Sequence, residues 1–355
     1  MILNIALLPG DGIGPEITRQ AVKVIDAVCN KKGHEPRYRE GLIGAVAVEK
    51  TGDPYPDKTH KICMSSDSVL FGAIGDPRFD NDPAAKIRPE KGLLDMRQKL
   101  GLFANIRPLL TFRPLLHMSP LKREIVEGAG FLTIRELTGG IYFGEPRGRS
   151  EDGNTAFDTS VYRRDEIKRI AHLAFDFATK RDNKLTMVDK ANVLATSRLW
   201  RESIKEMEKE YPRVSVDYMY VDNAAMQIIR SPRDFDVILT ENMFGDILTD
   251  EAAVISGSLG LIPSASVGDN TSVFEPIHGS YPEAAGKNVA NPLAAILSAS
   301  MMLEYAFGLK QEATIVKKAA EASLKEGVVT KDLDPDMAKG TSHVGDFIAS
   351  WINRA

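Results

Sequence analysis

The sequence predicts an α/β protein with a largely parallel or mixed sheet. Two observations carry this. Short apolar runs of strand type alternate with segments whose apolar residues recur at helical spacing, through most of the chain. The chain has 355 residues, too many for one ordinary core, so two domains or one large α/β unit are expected. Hydrophobic residues at 43% and charged residues at 26% supply such cores and argue against disorder.

Ile2 to Leu8 reads as a buried strand. Pro15 to Lys31 reads as a helix, because Ile17, Ala21, Val24, Ile25 and Val28 fall on one face. Pro15 at its start and Gly33 past its end are the expected punctuation. Ser68 to Gly75 is a second buried strand, Leu93 to Leu100 a short helix, Phe103 to Leu110 extended, and Phe131 to Leu137 another strand. Gly139 to Arg164 lacks helical periodicity and is rich in Gly, Arg, Asp and Asn; Ile141 to Phe143 and Phe157 to Tyr162 are expected to pair as an extended β arm, the alternative being a disordered loop. Helix follows at Asp165 to Lys180, strand at Lys184 to Val188, helix at Ser197 to Glu210, strand at Val214 to Val221 and helix at Asn223 to Ile229. Phe235 to Thr240 is a buried strand; Gly245 then turns the chain and Asp246 begins a helix. Asn291 to Phe307, Gln311 to Lys325 and Ser342 to Asn353 complete the helices. There is no internal repeat, low-complexity tract or obvious linker, so composition does not locate a domain boundary.

The formal net charge of −4 gives no electrostatic case for nucleic acid, although a local arginine cluster can still take an anionic substrate. Cys29 and Cys63 are too few for a disulfide framework or a cysteine metal cluster, and Cys29 lies on the apolar side of its helix. The first ten residues lack a basic leader and break at Pro9-Gly10. The uncharged run Asn288 to Leu303 contains Pro292 and falls short of a ~20-residue membrane span, so a buried helix is expected. These signs favour the cytoplasm and no membrane partner.

Five constellations invite chemistry. Asp246 and Asp250 are four apart, so a helix sets both carboxylates on one face: either a solvated acidic helix start or a hard divalent-cation site. Leu8 to Glu16 is a Gly-rich turn between strand and helix, but Gly10, Gly12 and Gly14 do not make the Gly-x-Gly-x-x-Gly fingerprint. A tight turn bordering a site is expected, not a standard Rossmann fold. Arg97, Arg107 and Arg135 each sit in or beside an apolar element; they read as structural ion pairs, or together as a clamp for a di-anionic substrate. Lys190 follows a strand end and is either solvent-facing or a proton acceptor, and Tyr142 in the arm is either a packing residue or a proton donor. Finally, Glu275 to Pro292 is a turn-rich loop in which His278 and a nearby acid suit an adenine and a ribose hydroxyl.

Taken together, Leu8 to Glu16, Leu102 to Pro108, Arg135 to Arg147, Val188 to Leu194, Asn242 to Asp250, Gly257 to Ser266 and Glu275 to Pro292 make the chain resemble the isocitrate/isopropylmalate dehydrogenase family of oxidative decarboxylases. The resemblance runs nearly end to end. It implies a two-domain α/β fold with a mixed sheet. The first, cofactor-binding domain is 1–103 plus 257–355; the second is 104–256, with the β arm, the dimer contact and the metal site. It implies Arg97, Arg107 and Arg135 as the substrate clamp with Asp222 beside it, and Tyr142 and Lys190 as the catalytic pair. Asp222, Asp246 and Asp250 become the carboxylates for Mg2+ or Mn2+. Lys190 and Asp222 would reach the other active site of a homodimer. NAD contacts map onto Glu90, Glu275, His278, Gly279, Ser280, Glu283, Gly286 and Asn291.

The family varies where the substrate side chain docks. Here Gly92-Leu93-Leu94, with Val193 opposite by family analogy, suits an isopropyl group, as in 3-isopropylmalate. Burying three carbons is worth about 2 kcal/mol, and desolvating a third carboxylate there costs more. Leu93 and Leu94 as helix core is the alternative, and the two roles are compatible. Glu283 would accept from a ribose hydroxyl and repel a 2′-phosphate, which favours NAD over NADP; the family usually has aspartate there. A relaxed enzyme for malate or tartrate, and a catalytically dead subunit, are the rivals. The second predicts loss of a metal aspartate, Lys190 or Tyr142, and all are present.

Overall fold

The computed structural model describes residues 1–79 and 87–355. The chain divides into two compact units, Met1–Leu102 with Ser258–Ala355, and Phe103–Gly257. In chain order the elements are β1 (Ile2–Gly10), α1 (Gly14–Lys32), β2 (Glu35–Glu40), α2 (Ala45–Thr51), α3 (Asp57–Met64), β3 (Ser68–Ala73), α4 (Lys91–Lys99), β4 (Leu102–Pro108), α5 (Arg123–Val126) and β5 (Leu132–Glu136). There follow β6 (Gly148–Arg149), β7 (Ala156–Phe157), α6 (Arg164–Thr179), β8 (Lys184–Asp189), α7 (Ala195–Met207), β9 (Ser215–Tyr220), α8 (Val221–Arg230), β10 (Val237–Thr240) and α9 (Asn242–Ile255). The chain ends with β11 (Pro263–Gly268), β12 (Ser272–Pro276), α10 (Leu293–Tyr305), α11 (Lys310–Lys325) and α12 (Thr341–Arg354).

In the first unit the strand order is β2-β1-β3-β12-β11, parallel except for β11 against β12. In the second it is β4-β5-β10-β8-β9, parallel except for β4 against β5. Both arrangements are mixed, as expected. Every residue of β3 is buried, which is why its sequence is a continuous apolar run. α10 is buried from Leu293 to Leu303, so the uncharged run is a core helix. Among the described residues no helix is long and apolar enough to cross a membrane. The second unit closes around Phe131, Val188, Ile228, Ile238 and Leu248, and Cys63 packs with Tyr55, Phe71 and Met96 in the first.

Sequence periodicity missed six elements, among them the four-residue helix α5. β2 reads Glu-Pro-Arg-Tyr-Arg-Glu and lies at a sheet edge, where apolar alternation is not required. β11 is built on Pro263, Ser264, Ala265 and Ser266, buried small residues with little strand propensity. β12 is a short partner to it, and α2 and α3 are too short to establish a helical period.

Two expectations are corrected. The arm does not pair Ile141–Phe143 with Phe157–Tyr162. Gly140–Tyr142 is one 3-10 turn, and the hairpin is β6 with β7, Gly148 opposite Phe157 and Arg149 opposite Ala156. Gly140 has φ +78°, and its N–H donates to the Val161 carbonyl at 3.0 Å, which ends extended pairing there. Nor does Gly245 turn the chain. α9 begins earlier, at Asn242, with Glu241 capping it by accepting from the Phe244 N–H at 3.1 Å. Gly245 lies inside this helix because a Cβ there would come within 2.6 Å of the Arg135 side chain.

Candidate active site

The second unit gathers five of the expected site residues. β4 presents Arg107, the antiparallel β5 presents Arg135, and α9 presents Asp246 and Asp250 one turn apart. Arg135 Nη1 pairs with Asp246 Oδ1, and Arg107 Nη2 stands 4.0 Å from the same oxygen. Arg107 Nη1 donates to Asp250 Oδ1 at 2.9 Å and to the Thr249 hydroxyl at 2.8 Å. Its Nε donates to Asn105 Oδ1 at 2.7 Å. The Tyr142 hydroxyl donates to Asp246 Oδ2 at 3.1 Å. Burial, then the Asp246 charge, raises the Tyr142 phenol above its usual range, so it stays protonated at neutral pH and can give a proton.

Asn105, Asn242 and Thr249 were missed by motif reading. Their signal was present as spacing. Asn105 and Arg107 are two apart on a strand, and Asn242, Asp246, Thr249 and Asp250 recur at one helical face.

Beneath the cluster two carboxyls are buried. Burial pushes Glu136 up despite hydrogen bonds from Thr138 and Gly139, and pushes Glu241 up despite the one from Phe244. A folded-state value above the unfolded one means that the stabilising contribution is complete below the unfolded value, about 4.3, and is lost as pH rises through the folded value. Glu241→Gln keeps an acceptor for the Phe244 N–H. Its melting temperature should therefore fall less between pH 5 and pH 8 than that of the wild type, with a difference of roughly 2 °C by calorimetry. Equal slopes would contradict this.

Lys190 and Asp222 form a separate ion pair in the same unit. Lys190 follows β8, where its N–H donates to the Ser197 hydroxyl at 3.1 Å. The preceding Asp189 is held by Arg201 at 2.8 and 2.9 Å. The Lys190 ammonium lowers the Asp222 carboxyl. Among the described residues no three His, Cys, Asp or Glu side chains are gathered as a metal cluster, so Asp222 does not complete a site with Asp246 and Asp250 within this chain.

The donor chemistry of Asp246 and Asp250 fits Mg2+ or Mn2+. Their oxygens are hard ligands, and their side chains are 38% and 72% exposed. Two aspartates and two arginines balance in charge. A dication arriving with a dicarboxylate preserves that balance.

The first unit holds the remaining residues except Val193. Arg97 Nη2 is 3.2 Å from Glu275 Oε1, and Arg97 Nε is buried without a hydrogen-bond partner. Leu93 packs on the core, whereas Leu94 is half exposed; adjacent helix positions point about 100° apart. The two leucines therefore do not line one surface. Glu90 occupies the N-cap position of α4 without a side-chain capping hydrogen bond, and its carboxylate lies against Gly75.

The Gly-rich turn braces the loop that follows β12. The Ile13 N–H donates to the Ser280 carbonyl at 2.8 Å, and Glu16 accepts from the N–H groups of Gly286 and Asn288. Beside it lies a cavity of about 300 Å³ lined by Ile13, Gly260, His278, Val289, Asn291 and Asp332. His278 Nε2 is buried without a partner, and burial lowers the imidazole's basicity, so the ring is neutral. Asn291 Nδ2 donates to Asp332 at 2.9 Å. A flat, uncharged heterocycle such as adenine fits these walls. Asp332 had no local signature in the sequence. Glu283 and Gly279 are exposed and lie off this cavity, as does Gly286.

Val193 is 62% exposed, next to Lys190. Met226 on α8, and Ile247 and Val254 on α9, are also more than half exposed, although α8 and α9 pack together.

A family profile described as isocitrate/isopropylmalate dehydrogenase matches residues 4–348. The 3-isopropylmalate dehydrogenase of Bacteroides fragilis strain YCH46 is 57% identical, covering 100% of both chains. That of Aquifex aeolicus is 51% identical, covering 99% of this chain and 97% of its own. Among solved structures, isocitrate dehydrogenase from Methylococcus capsulatus superposes with a TM-score of 0.85 at 35% identity, covering 98% of this chain and 99% of its own. A β-decarboxylating dehydrogenase from Thermococcus kodakarensis gives 0.82 at 33% identity, covering 99% and 96%. Agreement over the whole length, in sequence and in fold, leaves one conclusion: the chain belongs to the isocitrate/isopropylmalate dehydrogenase family.

Proposed function

We propose that this chain oxidises (2R,3S)-3-isopropylmalate with NAD and decarboxylates the product to 4-methyl-2-oxopentanoate, a step of leucine biosynthesis. It works in the cytoplasm as a homodimer with shared active sites, using Mg2+ or Mn2+. The observation that carries the reading is the grouping of Arg107, Arg135, Tyr142, Asp246 and Asp250, a di-anion clamp and a proton donor around paired carboxylates. Full-length identity to curated 3-isopropylmalate dehydrogenases supports the substrate. The exposed apolar residues of α8 and α9 support the dimer. In the first unit, the domain 1–103 plus 257–355 holds the cofactor; 104–256 carries the metal carboxylates.

Arg97, Arg107 and Arg135 hold the substrate carboxylates by charge-assisted hydrogen bonds. Leu94 and Val193 take the isopropyl group. Lys190 accepts the C2 hydroxyl proton, and a bound nicotinamide near Glu90 would take the hydride from C2. The C3–carboxyl bond then breaks, carbon dioxide departs, and Tyr142 returns a proton to C3. Asp246 and Asp250, with the partner subunit's Asp222, would hold a divalent cation, which would supply Lewis-acid stabilisation of the C2 oxygen's negative charge. NAD supplies the hydride acceptor; His278 and Asn291 hold its adenine, Glu283 its ribose hydroxyls, and Glu275, Gly279, Ser280 and Gly286 shape the loop.

The test is NADH formation from 3-isopropylmalate, D-malate and tartrate, with and without magnesium, and with NADP in place of NAD. The expected kcat/KM for 3-isopropylmalate exceeds that for D-malate by at least about ten-fold, as burial of an isopropyl group predicts. Equal or reversed preference rejects the substrate, and activity indifferent to magnesium rejects the metal.

A further inference from the structure

Asn242 is only 1% exposed at the first residue of α9, and its groups are held on three sides. Its Oδ1 accepts from Nε and Nη2 of Arg135 at 3.1 and 2.9 Å. Its Nδ2 donates to the Gly139 carbonyl at 3.2 Å. Its backbone N–H donates to the Tyr162 hydroxyl at 3.0 Å. The contact with Gly139 decides the amide's orientation, since only the nitrogen can donate to a carbonyl. Tyr162 stands edge-on to Trp200, and a Cβ on Gly139 would meet its ring within 2.8 Å. One side chain thus ties β5 at Arg135, the loop three residues before Tyr142, and the helix one turn before Asp246.

We propose that Asn242 is a positioning residue for Arg135 and Tyr142, and that its amide is required because it orients the arginine without cancelling its charge. The proposal rests on reading Arg135 as part of the substrate clamp. An acceptor across the Nε–Nη2 edge fixes the plane of the guanidinium. A carboxylate in the same place would do so bidentately and neutralise it. Arg135 already pairs with Asp246 through Nη1, so a second carboxylate on its Nε–Nη2 edge would set the incoming substrate carboxylate against a net negative cluster. The amide also keeps a donor for Gly139, which a carboxylate lacks, so the approach of Tyr142 depends on the same group.

The experiment compares Asn242→Asp, Asn242→Ala and Arg135→Gln in the full-length enzyme with magnesium, measuring kcat and KM for 3-isopropylmalate and for NAD, with melting curves. For Asn242→Asp the substrate KM should rise at least about ten-fold and the NAD KM change less than about two-fold, as expected for the loss of one charge-assisted contact. Asn242→Ala, which adds no charge, should raise the substrate KM less but still lower kcat through misplaced Tyr142. If Asn242→Asp does not fold, the alanine variant decides by the same selectivity for substrate over NAD. Equal rises in both KM values, or a larger KM effect from alanine than from aspartate, overturn the proposal in favour of a merely structural role. If Arg135→Gln raises the substrate KM and Asn242→Asp does not, the positioning role alone fails. If Arg135→Gln leaves it unchanged, the clamp reading fails and the proposal falls with it.

Discussion

Asp246→Asn should lower kcat by about 10³-fold, roughly 4 kcal/mol of transition-state stabilisation, while the protein remains folded. The size follows from three roles meeting on one carboxylate. Oδ1 takes Arg135 with Arg107 nearby, Oδ2 takes the Tyr142 hydroxyl, and the charge is one of those proposed to hold the cation. Asparagine keeps the shape but loses the charge and sets an NH2 donor among donors. Because the side chain is 38% exposed, water can solvate what is left, so the stability loss should stay within about 2 kcal/mol. Two measurements check this: kcat at saturating magnesium, and Mn2+ affinity without substrate, expected to weaken at least about ten-fold. Wild-type Mn2+ affinity in the variant would remove Asp246 from the metal site.

Lys190→Met should abolish detectable turnover, a loss of about 10²–10⁴-fold typical of a missing general base. Its larger consequence appears on mixing. If each active site takes Asp246 from one protomer and Lys190 from the other, a dimer of one Lys190→Met chain with one Asp246→Asn chain has one intact site and one doubly defective site. Random pairing makes half the dimers mixed, so co-expression should restore about a quarter of wild-type activity from two inactive parents. Sites contained within single chains would restore nothing. Within one chain, Lys190 pairs with Asp222, and no described trio of carboxylates closes around Asp246 and Asp250.

Much of the α/β pattern was legible because burial writes itself into sequence. β3 is apolar throughout since both its faces are covered, and α1 carries its period between Pro15 and Gly33, as its C-cap at φ 74° requires. β11 was illegible for the opposite reason. Its buried Ser264 and Ser266 are small polar residues, and pairing with β12, not propensity, makes them a strand. Gly245 misled because glycine usually ends helices. Here it is inside one, to make room for Arg135, which lies 110 residues earlier in the chain. The apolar exposure of Met226, Ile247 and Val254 was also hidden, since their sequence period does not distinguish a core face from an association face.

The sequence by itself determined the family, the alternation of strands and helices, and which residue types are present for the chemistry. Residue identity and local spacing suffice for those. It could also place Asp246 and Asp250 on one helical face. Only the tertiary structure decided their partners: Arg135 and Arg107 on β5 and β4, Tyr142 from a 3-10 turn, and Asn242 as the link among them. Of the arginines' two readings, the ion-pair one is what this chain shows for each of them. The reason is physical. A hydrogen bond between residues more than a hundred positions apart depends on where the backbone carries them, and no local period records that.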